Sequence, residues 1–325
     1  MSVAILSLVI YIMTMFLGLP SNILIFYIFC KKARSRLTPN LIYMINICIS
    51  DLVFIMFLPI KIIETFQSSW TLPAILCPLY NFCHFSTIYA SALFLTAVSV
   101  GRYLSVAFPI KYKIYKKPKY SCLICVGLWA IVFVHVSFAF LVETTQNRTL
   151  ALFLTTTTDS RVVCYENFTE DQLALVVPVR FEISIVLFCL PLAITTFSYM
   201  SCIRILMRSC MHTKHKKRAI RVAVTTLTVF IICFAPYNIS HIVGFALKVN
   251  VRWRQEALLT STCNTFLDPL IFYFLSSSVD QGFSQTLKTL HIKYRASVLK
   301  FSSIFKKEQQ EHLKAHHLKT ISSGV

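Results

Sequence analysis

The stretch LCPLYNFCHFSTIYASALFLTAVSVGRYLSVAF, residues 76–108, decides the fold class of this chain. Apart from Arg102, it contains no Lys, Arg, Asp or Glu. A helix of about 20 apolar residues crosses a bilayer core about 30 Å thick. We therefore predict that this stretch is a membrane-spanning helix.

Six other apolar stretches are long enough to do the same, so the chain has seven predicted spans, numbered one to seven in chain order. They cover residues 3–29, 41–63, 76–108, 120–142, 173–207, 220–247 and 257–275. The 325 residues are 56% hydrophobic and only 14% charged, which disfavours a soluble enzyme, a secreted disulfide scaffold and a disordered chain. The predicted fold class is all-α, a seven-transmembrane helix bundle.

The loops between the spans differ in charge. Basic residues follow spans one, three and five, at 31–36, 111–119 and 208–221. The loop between spans four and five is acidic and carries the glycosylation acceptors Asn147 and Asn167. Because cations mark cytoplasmic loops, the N-terminus is expected outside and the C-terminus inside the cell. The net charge of +19 then reflects membrane orientation, and no nucleic-acid partner is expected.

The C-terminal region divides into two predicted parts. Apolar residues at 283, 287, 290 and 294 recur at helical spacing among cations, which predicts an amphipathic eighth helix on the inner membrane lipids. We expect a receptor domain over 1–296, including this helix, and a disordered cytoplasmic regulatory tail over 297–325. The tail offers Ser and Thr residues for phosphorylation.

Polar residues inside the predicted spans mark candidate sites, because burying them in a membrane is costly. Asp51, Ser91, Asn264 and Asp268 lie at similar inferred depths. They form either a site for a cation such as sodium or a purely structural hydrogen-bond network. No other metal and no cofactor is expected.

Short motifs on six spans resemble the rhodopsin-like class of G-protein-coupled receptors. They are LPSN ending at Asn22, SDL around Asp51, Gly101-Arg102-Tyr103, Trp129, CFAP ending at Pro236 and DPLIF ending at Phe272. The resemblance implies a plasma-membrane receptor that couples to a heterotrimeric G protein. It assigns activation and coupling to Arg102, Tyr103, Phe234, Pro236, Pro269 and Phe272. The class usually has an acidic residue where this chain has Gly101, so a restraint on Arg102 is missing.

Longer runs are similar to the short-chain free fatty acid receptors, closer to type two than to type three. They are CYENFT from Cys164, PVRFE around Arg180, PYNISH ending at His241 and Trp253-Arg254. The similarity implies a short-chain carboxylate ligand such as acetate, propionate or butyrate. It also implies a Gi/o or Gq partner, and arrestin binding through the phosphorylated tail.

The candidate ligand site combines cations and aromatic residues. Arg180, Arg254, His241 and His135 are expected to converge on the outer half of the bundle, where two guanidinium groups suit a carboxylate. The other expected ligand-site residues are Phe85, Tyr165, Tyr237 and Glu166. Alternatively, Arg180 pairs with Glu166 or Glu182 and Arg254 is solvated near Glu256, while the histidines are structural.

One disulfide is expected at the outer side. Cys77 lies 25 residues before Arg102, or about 37 Å of helix, so the two residues belong to opposite membrane faces. Cys164 is the only cysteine in the loop between spans four and five, which makes it the expected partner of Cys77. Cys83, almost two turns deeper, is the competing partner.

Four other functions are compatible with parts of the sequence to different degrees. No nucleophile, base and orienting residue form a catalytic set, so an enzyme is not expected. Span seven has no Lys for a retinal Schiff base. An anion or proton transporter that uses Asp51 and Asp268 is the main rival, and a receptor for another or a longer carboxylate is the second alternative.

Overall fold

The computed structural model describes residues 2–73, 75–154, 164, 170–209 and 213–275. Within these ranges the chain is helical and has no strand. Six helical segments are long and apolar enough to cross a membrane: Val3–Ser35, Pro39–Gln67, Leu76–Ala107, Pro118–Phe138, Leu173–Arg208 and Lys216–Leu247. These are spans one to six, and the predicted all-helical membrane fold is confirmed.

The regular elements of the spans have the following bounds. Spans two, three and four are the α-helices Pro39–Gln67, Leu76–Ala107 and Pro118–Leu154. Span one joins Ser2–Met13, Thr14–Gly18 and Leu19–Ser35; span five joins Glu170–Ser184, Ile185–Cys189 and Leu190–Arg208; span six joins Thr213–Val229, Phe230–Phe234 and Ala235–Leu247. Span seven comprises Arg254–Thr262 and Asn264–Leu275.

The middle segment of spans one, five and six is a π-helix, and each ends two residues before a proline. The prolines are Pro20, Pro191 and Pro236. A proline ring has no N–H and clashes with the carbonyl four residues earlier. The wider π turn relieves that clash, and such turns are common at functional sites. Phe234, predicted to act in activation, lies in one of these turns.

Three details differ from the sequence prediction. Span seven is interrupted at Cys263, and within the residues up to Leu275 that the structure describes neither of its helices alone is long enough to cross a membrane. The span-four helix continues to Leu154, since no Pro or Gly follows Gly127 to stop it. Asn147 therefore lies in this helical extension and not in a loop. A short helix, Pro109–Tyr115, joins spans three and four.

The predicted eighth helix and tail lie outside the described residues, and the division at 296 stays a prediction.

Candidate functional site

Two adjoining cavities lie between spans three to seven, and Arg180 and His241 line both. The larger is lined by Phe85, Tyr89, Val136, Phe138, Val176, Val179, Arg180, Ile183, Tyr237 and His241. The smaller is lined by Val177, Arg180, Ser240, His241, Gly244, Val249, Asn250, Val251 and Arg254. The structure therefore brings three of the four predicted basic ligand-site residues to one place.

These three basic residues come from three spans and are deeply buried. Arg180 belongs to span five, His241 to span six, and Arg254 is the first residue of span seven. Their exposed fractions are 7%, 4% and 2%. Burying a guanidinium group is costly unless anionic or polar atoms compensate it. The two guanidinium groups also present positive charge and N–H donors at the cavity walls, which suit a small anion.

Asn250, in the loop between spans six and seven, positions Arg180. Its Oδ1 accepts a hydrogen bond from Arg180 Nη1 over 3.1 Å. Lys248 adopts a left-handed conformation at the end of span six, and Val249 N–H donates to the carbonyl of Gly244. A Cβ on Gly244 would lie 3.0 Å from the carbonyl oxygen of Val249, so glycine permits the loop to fold this closely.

Aromatic side chains form the wall beside the cations. The rings of Phe85 and Tyr237 stack with their centroids 5.9 Å apart, and Tyr237 meets His241 edge-on at 4.3 Å. Tyr89 O–H donates to Oδ1 of Asn238 on span six. Phe85 and Tyr237 therefore line the same cavity as Arg180 and His241. Tyr89, Asn238 and Asn250 were not predicted; only Asn250 has a sequence signal, an amide four residues before Arg254.

His135 is not among the residues that line these cavities. Its Nε2 lies 3.1 Å from Oε1 of Glu182, and its Nδ1 lies 2.7 Å from the carbonyl oxygen of Ile131. The next residue, Val136, lines the larger cavity. Successive side chains on an α-helix are separated by about 100°, so His135 is directed elsewhere. The contact with His135 also engages the carboxylate of Glu182, which was one of the alternative partners predicted for Arg180.

The predicted disulfide is present. Cys77 and Cys164 are bonded, with their Cα atoms 5.7 Å apart, and the competing Cys83 is a free thiol. Cys77 is the second residue of span three, and the end of the bundle at which it lies is named the disulfide end. Tyr165, Glu166 and Asn167 lie outside the described residues.

Asp51 and Asp268 form the centre of the predicted polar cluster. Both are fully buried, and they interact electrostatically with each other. Their four carboxylate oxygens, Ser91 Oγ and Asn264 Nδ2 accept or donate no hydrogen bond within the described residues. Unpaired buried carboxylates are costly, so this cluster has the chemistry of a cation site.

Gly101 lies at the opposite end of span three from the disulfide and packs closely on span two. A Cβ at Gly101 would lie 2.7 Å from Oδ1 of Asn40. The guanidinium of Arg102 is within electrostatic reach of the hydroxyl groups of Tyr199 and Tyr112. Partial burial raises the pKa of Tyr112, although Arg102 opposes the shift. Tyr112 is therefore a neutral hydroxyl at physiological pH.

Aromatic contacts surround the remaining predicted activation residues. Tyr103 packs edge-on against Phe197 of span five. Phe234 packs edge-on against Phe230, and Phe272 against Phe29 of span one. Pro236 follows the π turn of span six, and Pro269 lies inside the second helix of span seven. Phe234 and Phe272 are fully buried.

Comparison with known proteins agrees with this architecture. The family model for the 7 transmembrane receptor (rhodopsin family) matches residues 21–272. Free fatty acid receptor 3 of Mus musculus is 39% identical over 282 residues, 86% of each chain. Free fatty acid receptor 2 of Mus musculus is 38% identical, covering 85% of this chain and 83% of its own. Free fatty acid receptor 1 of Mus musculus is 36% identical, covering 85% and 93%.

The relatives of all three types have similar identities, so these values do not separate type two from type three. They are receptors, which confirms that the chain is not an enzyme. The match to the family model and the coverage of the relatives locate the protein in the membrane as a multi-pass chain. It belongs to the rhodopsin family of seven-transmembrane receptors and, within that family, to the free fatty acid receptors.

Proposed function

We propose that this protein is a cell-surface receptor for small carboxylates, which bind through Arg180, Arg254 and His241. The disulfide end faces outward, because disulfides form in oxidising compartments and the basic loops lie at the other end. The N-terminus is accordingly extracellular and the C-terminus cytoplasmic. Asn147 and Asn167 lie on the extracellular side, where glycosylation can occur.

The observation that carries this proposal is the pair of buried arginines beside one histidine. A planar guanidinium group presents paired N–H donors that match the two oxygens of a carboxylate. Two guanidinium groups and one imidazole at the same cavities offer both charge and directional hydrogen bonds. The apolar wall of Phe85 and Tyr237 then accommodates the alkyl chain.

We expect short chains, such as acetate, propionate and butyrate, to be the preferred ligands. Favourable binding is limited to about 1.5 kcal/mol per heavy atom for very small ligands. Acetate has four heavy atoms and is limited to about 6 kcal/mol, a Kd near 40 μM or weaker. Such a receptor responds to abundant metabolites.

A longer carboxylate is the second candidate ligand, and the apolar lining of the larger cavity favours it. From Arg180 the cavity extends past apolar residues of span four and span five, including Val136, Phe138 and Val176. A chain that filled this apolar volume would gain roughly 0.8 kcal/mol for each buried methylene group.

Signalling through a heterotrimeric G protein follows from the proposed role. Arg102 and Tyr103 lie at the cytoplasmic end in this orientation, next to the basic start of span six. We expect a Gi/o protein, with Gq as the alternative, and arrestin binding to the phosphorylated tail.

His135, Tyr165 and Glu166 remain proposed ligand-site residues. A role for His135 requires its side chain to break the contact with Glu182.

A chain-length series tests the proposal. The purified receptor is reconstituted with Gi or Gq heterotrimers, and nucleotide exchange is measured for straight-chain carboxylates from C1 to C12. The matched alcohols and amides serve as uncharged controls. Maximal potency between C2 and C4 supports the short-chain ligand, and an optimum at C8 or above supports the longer one. Activity of the alcohols equal to that of the acids contradicts carboxylate recognition. Anion uptake into vesicles without a G-protein response indicates a transporter.

A further inference from the structure

Glu64 is a buried carboxylate on span two that the ligand site does not use. It is 4% exposed and lies one helical turn after Lys61, whose Nζ donates to Glu64 Oε2 over 2.7 Å. The other carboxylate oxygen, Oε1, accepts a hydrogen bond from the backbone N–H of Cys164 over 2.8 Å. Both oxygens of Glu64 are therefore engaged.

The contact connects Cys164 to two spans at once, and Cys164 with Cys77 and Glu64 is named the Cys164 junction. Its sulfur is bonded to Cys77 of span three, while its backbone N–H is held by Glu64 of span two. Asn81 Nδ2, one turn after Cys77, donates to Cys164 Sγ over 3.2 Å. A disulfide alone leaves rotation about its bonds, and the carboxylate fixes the direction of the attached backbone.

The same face of span three continues into the ligand cavity. Cys77, Asn81, Phe85 and Tyr89 follow one another at intervals of four residues, so they lie along one face of the helix. All four are buried, and Phe85 and Tyr89 line the larger cavity. The orientation of this face consequently depends on how the disulfide is held.

We propose that Glu64 is a positioning residue for ligand binding, which fixes the Cys77–Cys164 disulfide relative to span two and thereby the cavity face of span three. Lys61 neutralises Glu64, so a buried negative charge does not repel an anionic ligand. The effect on ligand affinity rests on the proposed function, whereas the effect on the backbone at Cys164 does not.

The test uses the full-length receptor with Glu64→Ala, Glu64→Gln and, as a matched control on the same helical turn, Thr65→Ala. Thr65 O–H donates only to the Lys61 carbonyl in the described contacts, so its loss leaves the junction intact. Hydrogen exchange of the peptide that contains Cys164 is measured without ligand. Propionate potency and maximal response are measured at equal surface expression.

Glu64→Ala is expected to accelerate exchange at Cys164 and lower propionate potency about tenfold or more with the maximal response retained, because a charge-assisted hydrogen bond is lost. Glu64→Gln keeps an acceptor oxygen and is expected to restore most of both properties. Should the alanine variant fail to reach the surface, Glu64→Asp, one methylene shorter, is expected to show the same changes in smaller size.

Unchanged exchange in Glu64→Ala overturns the proposal, and so does accelerated exchange with native potency. If Glu64→Ala loses potency and Glu64→Gln loses it equally, the charge of Glu64 and not its hydrogen bond to the Cys164 backbone sustains ligand binding, which also overturns the proposal. A native receptor that responds to no carboxylate refutes the proposed function, while the exchange measurement still decides whether Glu64 holds Cys164.

Discussion

The Nη1 atom of Arg180 donates a hydrogen bond to Oδ1 of Asn250 over 3.1 Å, which connects span five to the loop between spans six and seven. Gly244 permits this loop to fold back against span six. Arg180, His241 and Asn250 thus line one cavity together with Arg254. The arrangement orients the guanidinium group before a ligand arrives, which reduces the cost of binding.

Asn250→Asp is predicted to weaken carboxylate binding, because the new carboxylate would pair with Arg180 and compete with the ligand. A partly buried charge pair of this kind should lower potency by about tenfold or more. Asn250→Ala, which removes the hydrogen bond without adding charge, should cost less, about 0.5 to 1.5 kcal/mol. Dose–response curves for propionate at equal surface expression distinguish the two. Equal potency of the Asp and Ala variants would contradict the role of charge.

Cys77→Ser and Cys164→Ser are each predicted to abolish the ligand response. The bond closes a sequence separation of 87 residues, and such a cross-link contributes about 4 kcal/mol or somewhat more in the chain-entropy description. Cys83→Ser is the control, since Cys83 is a free thiol and should tolerate the change. Mass mapping of the unreduced receptor checks the pairing, and a bridge from Cys77 to any other cysteine is incompatible with this structure.

Gly101→Glu is predicted to lower basal G-protein turnover, provided that the Asn40 side chain does not clash with the new side chain. Because a Cβ at Gly101 would lie 2.7 Å from Asn40 Oδ1, the substitution is best made in an Asn40→Ala background. A carboxylate there would hold Arg102, and a differential stabilisation of about 1.4 kcal/mol lowers the active-to-inactive ratio tenfold.

Gly101→Gln in the same Asn40→Ala background is the control, since it changes helix propensity and volume similarly without adding charge. Basal nucleotide exchange should be lowest in the glutamate variant. The same basal exchange in both variants would mean that a carboxylate at this position does not restrain Arg102.

Sodium is predicted to raise the thermal stability of the receptor through Asp51 and Asp268. A cation that binds the native state stabilises it by about 2.7 kcal/mol at a concentration 100 times its Kd. The melting temperature should therefore be higher in sodium chloride than in N-methylglucamine chloride at equal ionic strength. Asp268→Asn should remove the difference. A native receptor with the same melting temperature in both salts would support the purely structural network.

Most of the fold was predictable because apolar runs of about 20 residues leave few alternatives to membrane helices. The break at Cys263 and the helical extension to Leu154 were not, since helix ends depend on local contacts as well as on composition. The cavity arginines and His241 were predicted from their positions in the outer part of the spans and from the family resemblance. The direction of the His135 side chain was not predictable. Adjacent residues on a helix point about 100° apart, so Val136 faces the cavity while His135 faces Glu182.

Asn250, Gly244 and Glu64 were missed for a related reason. Each acts through a contact with a backbone or side chain that is distant in sequence or lies across a loop, and their residue types are common in loops and helix ends. Periodicity and charge do not mark Gly244, and neither the charge of Glu64 nor the position of Asn250 before Arg254 reveals which residue each of them contacts. Their roles follow only from the three-dimensional arrangement.

The most direct measurement is the propionate response of Arg180→Ala and Arg254→Ala, compared with the native receptor by G-protein nucleotide exchange at equal surface expression. Each substitution should cost about 2 to 5 kcal/mol of binding, a loss of some 30-fold to several thousand-fold in potency. Arg→Lys at either position should restore the response only partly, because an ammonium group lacks the planar pair of donors. Native potency in either alanine variant would contradict the binding of carboxylates by these two arginines.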